Sequence, residues 1–181
     1  MTRKLVAALF TSVDGIVSAP NEFQLDSFDD DLGAFMGQSI GAVDDVILGR
    51  VSYTEWAGYF PTSNDPFADF INPVNKHVAS RTLTQADLAW NNSTLIDGDL
   101  VDFVTALKAS EGRDISVCGS ISVVRQMVLA GLMDELTLIT HPVIAGSGRH
   151  LFDDAPQTRL ALVDVQKTEK GNALLTYGPR A

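Results

Sequence analysis

The chain opens on a nearly unbroken apolar run, residues 5–13, closed by the turn pair Asp14-Gly15. A short run of that kind reads as a strand buried on both faces. A loop with Pro20 and Asn21 follows. Asp29, Asp30 and Asp31 then precede Leu32, Phe35, Met36 and Ile40 at spacings of three and four. Acids at the start and apolar residues at that period predict an amphipathic helix. Val46-Ile47-Leu48, within residues 45–49, predicts a buried strand, and residues 52–60 predict a helix with Pro61 beyond its end. Residues 77–80 and 94–96 predict two short strands. Leu100, Phe103, Val104 and Leu107 mark a helix closed by Gly112. Residues 115–118 predict a strand, Gly119 a break, and Val124, Met127 and Val128 a helix ended by Gly131. Residues 135–144 are strand at least as far as Thr140, since Pro142 cannot donate to a ladder. Residues 160–168 and 172–177 flank Lys170-Gly171 and predict an antiparallel hairpin. This alternation, ending in consecutive strands, predicts a single α/β domain over residues 1–181. Its central sheet is mainly parallel, flanked by helices, with an antiparallel C-terminal hairpin.

Composition narrows the function. With 45% hydrophobic residues in 181, the chain can bury one sizeable core, and two full domains would be cramped. The net charge of -10 repels phosphate backbones and anionic membrane surfaces, so neither nucleic acid nor membrane is an expected partner. The apolar run of residues 5–10 is too short for a signal peptide or a span. One cysteine, Cys118, rules out an internal disulfide and a cysteine-cluster metal site, which fits the cytoplasm. His77, His141 and His150 are too dispersed for a metal pair on one helix, so no metal is expected.

In open α/β sheets ligands bind beyond the carboxyl ends of the strands. Three predicted strands end in suggestive turns: Gly49-Arg50-Val51-Ser52-Tyr53, Ser80-Arg81-Thr82 and Gly119-Ser120-Ile121-Ser122. A glycine admits close backbone approach, a helix N-terminus offers free N–H groups, and a guanidinium supplies charge to phosphate. Any one of them is equally an ordinary cap, turn or surface charge. Three in series after three strands point to a ligand with several phosphates. The chain has no G-x-G-x-x-G and no Walker A motif, and its one G-x-S-x-G, residues 37–41, closes a helix instead of joining a strand to one.

At these turns the sequence resembles the dihydrofolate-reductase-like superfamily. Within it, the chain is most similar to the C-terminal reductase domain of bifunctional riboflavin-biosynthesis proteins. The carrying segments are residues 11–15, 45–55, 78–83, 118–120, 131–136 and 142–148 before Leu151-Phe152. The resemblance implies an NADPH-dependent reductase that transfers a hydride to a small heterocyclic substrate. It places Gly49, Arg50, Ser52, Tyr53, Gly119, Ser120, Ile121 and Ser122 around the pyrophosphate, and Ser80, Arg81 and Thr82 at the adenosine 2'-phosphate. It also implies a homodimer. Dihydrofolate reductases proper carry a Gly-Gly pair where this chain has only Gly119, and the zinc-binding deaminase domain of a complete riboflavin enzyme has no counterpart here. The named precedent is 5-amino-6-(5-phosphoribosylamino)uracil reductase. A dihydrofolate or dihydropterin reductase and a non-catalytic dinucleotide-binding module are the alternatives.

Asp14 is the candidate catalytic acid, because a carboxylate just past the first strand can reach the nitrogens of a bound ring; a plain Asp-Gly turn is the competing reading. Asp31 and Phe35, four apart on one helix, resemble the substrate-binding acid and aromatic of dihydrofolate reductases; one of three helix-start acids and a core residue are the competing readings. Trp56 could stack on a ligand ring, or simply fill the core.

Overall fold

The computed structural model describes residues 2–180. Six strands run parallel: β1 (Leu5–Thr11), β2 (Val43–Gly49), β3 (Asn75–Ala79), β4 (Ser93–Leu95), β5 (Asp114–Val117) and β6 (Glu135–Thr140). The closing hairpin, β7 (Leu160–Lys167) and β8 (Ala173–Pro179), joins through β8, which lies antiparallel to β6. The sheet order is β4-β3-β2-β5-β1-β6-β8-β7. The helices are α1 (Pro20–Phe23), α2 (Asp30–Gly41), α3 (Arg50–Ala57), α4 (Ala68–Ile71), α5 (Leu100–Ala109) and α6 (Ile121–Leu129). Asp29 caps α2 by accepting from Leu32 N–H, and Asp99 caps α5 by accepting from Val101 and Asp102. The helix predicted over residues 52–60 starts at Arg50 and stops at Ala57, with a separate 3-10 turn at Phe60–Thr62. The four-residue helices α1 and α4 are too short to show a helical period.

The first strand corrects an expectation. Residues 5–13 predict burial on both faces, yet within β1 only Leu5, Ala7, Leu9 and Thr11 are buried, and Val6, Ala8 and Phe10 are half-exposed. The buried set packs with Ile47, Ile115, Val117 and Leu136 beneath Val104 of α5 and Val124 and Met127 of α6. On the opposite face there are two clusters. Val46, Leu48 and Val78 meet Tyr53, Phe60, Ile71 and Trp90 under α3 and α4; Leu32, Ile139 and Leu174 meet Phe10, Phe35 and Met36 under α2. Val6, Ala8 and Ser116 line the floor of an open cleft on this face. The run is continuous because its second face lines that cleft.

Polar fastening is concentrated at the opposite, N-terminal edge of the sheet. Arg3 is buried and donates to Asp45 and to Arg113 O, both at 2.5 Å, and to Asp44; Asp45 also meets His77 Nε2 at 2.8 Å. Lys76 is buried below the C-terminus of α4, donating to the carbonyls of Ile71, Asn72 and Val74 at 2.9, 2.9 and 2.8 Å. A buried cation placed on orphan helix carbonyls satisfies both partners. These locks leave the C-terminal edge to its loops.

Candidate active site

The parallel strands all end on that one edge. A cleft of about 2040 Å³ runs from the loops leaving β1, β2, β3 and β5 across the sheet to Asp114, Glu135 and the hairpin residues Val163, Gln166 and Thr176. Sites for one small ligand span roughly 300–1,000 Å³, so this one has room for two molecules side by side.

Two of its walls are helix N-termini stapled together. Gly49 is the N-cap of α3, and a Cβ there would sit 3.3 Å from Ser120 Oγ, tighter than ordinary packing allows. Ser120 Oγ accepts from Gly49 N–H at 2.7 Å and donates to Ser52 Oγ at 3.0 Å; Ser52 Oγ in turn donates to Gly119 O at 2.9 Å. Gly119 holds φ +60°, and a Cβ on it would lie 2.6 Å from the Trp56 ring. Only glycine meets both demands. Ser52 and Ser120, expected to touch a cofactor, are therefore in the wall with their hydroxyls committed to the staple. No side chain caps α3 or α6, so the first-turn N–H groups of Arg50, Val51, Ile121 and Ser122 stand at the cleft without a side-chain acceptor. Aligned peptide dipoles add positive potential there.

Beyond β3, Ser80 Oγ accepts from Thr82 N–H at 3.1 Å and Leu83 N–H at 2.9 Å. Both lone pairs are used, which leaves its O–H to donate outward. Arg50 and Arg81 line the cleft, and neither takes part in an ion pair among the described residues.

Of the proposed substrate contacts, Phe35 and Trp56 line the cleft. Trp56 lies edge-on to Phe60 and Phe67 with centroids at 5.4 and 5.8 Å, which fixes its ring beside Gly119. Asp31 does not face the cleft: its carboxylate accepts from Glu169 N–H at 3.0 Å and ties α2 to the β7–β8 turn. It stands in the first turn, where a side chain leans toward the helix start and over its end, away from the face that carries Phe35. Tyr53 is corrected too. It is 3% exposed, packed in the core, and its hydroxyl accepts from Trp90 N–H at 3.2 Å.

Asp14 lies outside the cleft lining. Ser12 Oγ donates to it at 2.6 Å, and the N–H groups of Ala145 and Gly146 donate at 2.9 and 2.8 Å. These bonds hold its carboxyl down to about 2, so at neutral pH it has no proton to give. Its geometry is that of a clasp between two loops.

Three features escaped the sequence reading. Arg149 lines the cleft from the loop after β6, and Asn21 of α1 and Gln24 at its C-cap line it too, with Gln24 Nε2 3.5 Å from His141 Nε2. His141 is fully buried, with Nδ1 2.6 Å from Ser27 Oγ and its ring against Phe10 and Phe23; burial pulls its pKa down and favours the neutral ring. None sits in a strand–glycine–helix turn, the one signal that marked the other residues. Cys118 in the floor is a protonated thiol, its pKa pushed up to about 11 by desolvation.

Residues 3–174 match the model of the RibD C-terminal domain. The chain belongs to the RibD C-terminal domain family. It is 29% identical to the uncharacterized protein YyaP of Bacillus subtilis over 97% of this chain and 94% of that one. Its fold is similar to that of a pyrimidine reductase-like protein from Corynebacterium diphtheriae (TM-score 0.69, 18% identity, 99% of this chain and 92% of that one). It is also similar to a diaminohydroxyphosphoribosylaminopyrimidine deaminase/5-amino-6-(5-phosphoribosylamino)uracil reductase from Thermotoga maritima (TM-score 0.70, 13% identity, 99% of this chain). The match spans 57% of the Thermotoga chain. As a RibD C-terminal domain the chain has the dihydrofolate-reductase-like architecture that the resemblance implied.

Proposed function

We propose that the protein is an NADPH-dependent reductase of a small heterocyclic substrate, of the kind exemplified by 5-amino-6-(5-phosphoribosylamino)uracil reductase in riboflavin biosynthesis. The observation that carries this reading is the pair of uncapped helix N-termini, α3 and α6, riveted by Ser52 and Ser120 over one cleft, with Ser80 and Arg81 on the next strand. The residues fit the cofactor: donors without side-chain acceptors and unpaired guanidinium groups line a space larger than one small ligand needs. The N–H groups of Arg50, Val51, Ile121 and Ser122 with the Arg50 side chain would hold the pyrophosphate, and Ser80, Arg81 and Thr82 the 2'-phosphate. The cofactor supplies the hydride. The chain's part is to orient two rings on the floor of Val6 and Ala8 beside Phe35 and Trp56, and to exclude water from between them.

The polar groups that α1 and its C-cap bring to the cleft favour a pyrimidine-like ring over a pterin. Asp31, the acid that would pair with a pterin, is tied to Glu169, while Asn21 and Gln24 offer carboxamides that both donate and accept. A homodimer and a cytoplasmic site complete the proposal. It is tested by titrating the protein with NADPH and NADH while following tryptophan fluorescence, since Trp56 lines the cleft. NADPH should bind at least tenfold more tightly than NADH, and Arg81→Ala should close most of that gap, because hydrogen bonds to charged groups contribute about 1.5–3 kcal/mol. Equal affinities would remove the role of Ser80 and Arg81. Tight NADPH binding with no oxidation of it by pyrimidine or pterin substrates would select a dinucleotide-binding module without turnover.

A further inference from the structure

The cofactor reading uses two of the three arginines that line the cleft. Arg149, the third, reaches it from a strap, residues 142–150, that leaves the end of β6. Its side chain joins no ion pair among the described residues. Its backbone, by contrast, is pinned on both sides: Arg149 N–H donates to Ser18 Oγ at 2.9 Å, and Arg149 O accepts from Val17 N–H at 2.9 Å. Gly148 before it holds φ +139°, and a Cβ there would fall 2.4 Å from Ile16 Cγ2, so the strap lies flat against the β1–α1 loop. Asp14 clasps the strap's other end through Ala145 and Gly146 N–H, and Val13 N–H donates to Val143 O at 2.8 Å. On the far side Arg125, one turn into α6, donates to Leu151 O at 2.5 Å and His150 O at 3.3 Å. A loop fixed at three places thus carries Arg149 into the lining of the cleft that the N-terminus of α6 also lines.

The order of strand ends says which group it meets. Along the C-terminal edge the sequence is β3 with Arg81, β2 with Gly49, β5 with Gly119, β1, then β6 with the strap. A dinucleotide with its 2'-phosphate at Arg81 and its pyrophosphate across the Gly49 and Gly119 turns runs its nicotinamide half toward β1, the side from which Arg149 comes. Resting on the NADPH reading above, we propose that Arg149 binds the nicotinamide-side phosphate of the dinucleotide, and that Asp14 is the positioning residue that holds the strap bearing it.

Binding of NADPH and of 2',5'-ADP, which lacks that phosphate, tests the assignment by calorimetry. Arg149→Ala should weaken NADPH by roughly tenfold or more and leave 2',5'-ADP unchanged. Because the side chain is exposed, the melting temperature should not move. Asp14→Ala should weaken NADPH several-fold in the wild-type background and have no further effect on Arg149→Ala. Arg159→Ala, outside the cleft, controls for net charge and should bind as wild type. The assignment is overturned by an Arg149→Ala protein that binds NADPH normally, by equal losses for both ligands, or by an Arg159→Ala loss of the same size. Additive losses in the double variant would overturn the positioning role of Asp14. A wild-type protein that binds 2',5'-ADP but not NADPH also overturns it, whereas one that binds neither overturns the cofactor reading itself.

Discussion

Asp14 shows how a plausible catalytic residue is decided by its partners. Position after β1 suggested an acid at the reaction centre, but three donors surround the carboxylate, first Ser12 Oγ and then the amides of Ala145 and Gly146, and each favours the ionised form. Its pKa falls from 3.8 to about 2 in the fold. A depressed carboxyl pKa adds stability that is complete above the unfolded value and is lost as pH falls through the folded one. The melting-temperature difference between wild type and Asp14→Ala should therefore be constant above about pH 5, shrink steeply as pH falls toward about 2 and vanish only below it. A difference that persists unchanged at that pH would show that the clasp does not depend on charge. Thermal melts across this range measure it, and they do so independently of any ligand. Asp31 and Tyr53 make the same point: the first is spent on Glu169 N–H and the second on Trp90 N–H, contacts across 138 and 37 residues that no local pattern contains.

The elements that build the site are held by a few hydroxyls, above all Ser120. Ser120→Ala would leave Gly49 N–H buried without its acceptor, since that amide heads α3 and has no intrahelical partner. Such a loss destabilises by about 1–3 kcal/mol, seen as a lower urea midpoint. NADPH affinity should fall with it, because the two N-termini are no longer fixed relative to each other. Lower stability with unchanged affinity would show the staple to be structural only. The strand–glycine–helix order made these turns readable from sequence, because a buried strand, a glycine and a helix start are all local signals. The cleft floor was legible only in part. Residues 5–13 are apolar on both faces, and sequence cannot distinguish a face covered by helices from one kept open between α2 and α3. Arg149 left no trace, since a loop arginine is ordinary until Ser18 and Val17 are seen to hold its backbone.

Across the whole molecule two charge scales compete. The chain carries -10, which opposes the approach of an anionic dinucleotide at long range. Arg50, Arg81 and Arg149 present positive charge within one concavity whose low-dielectric walls focus the field. Screening acts over about 8–10 Å at physiological salt, a length comparable with the cleft itself, so it weakens the local attraction and the global repulsion together. In the wild type the guanidinium groups that line the cleft set the sign: stopped-flow association of NADPH should slow as salt is raised. With Arg50→Ala and Arg81→Ala combined, the local attraction is cut while the net charge becomes more negative, and association should start slower and then quicken with salt. The reversal is the diagnostic outcome. If both proteins respond to salt in the same direction, the arginines do not govern the field at the cleft mouth, and their contribution is confined to contacts made after the cofactor has entered.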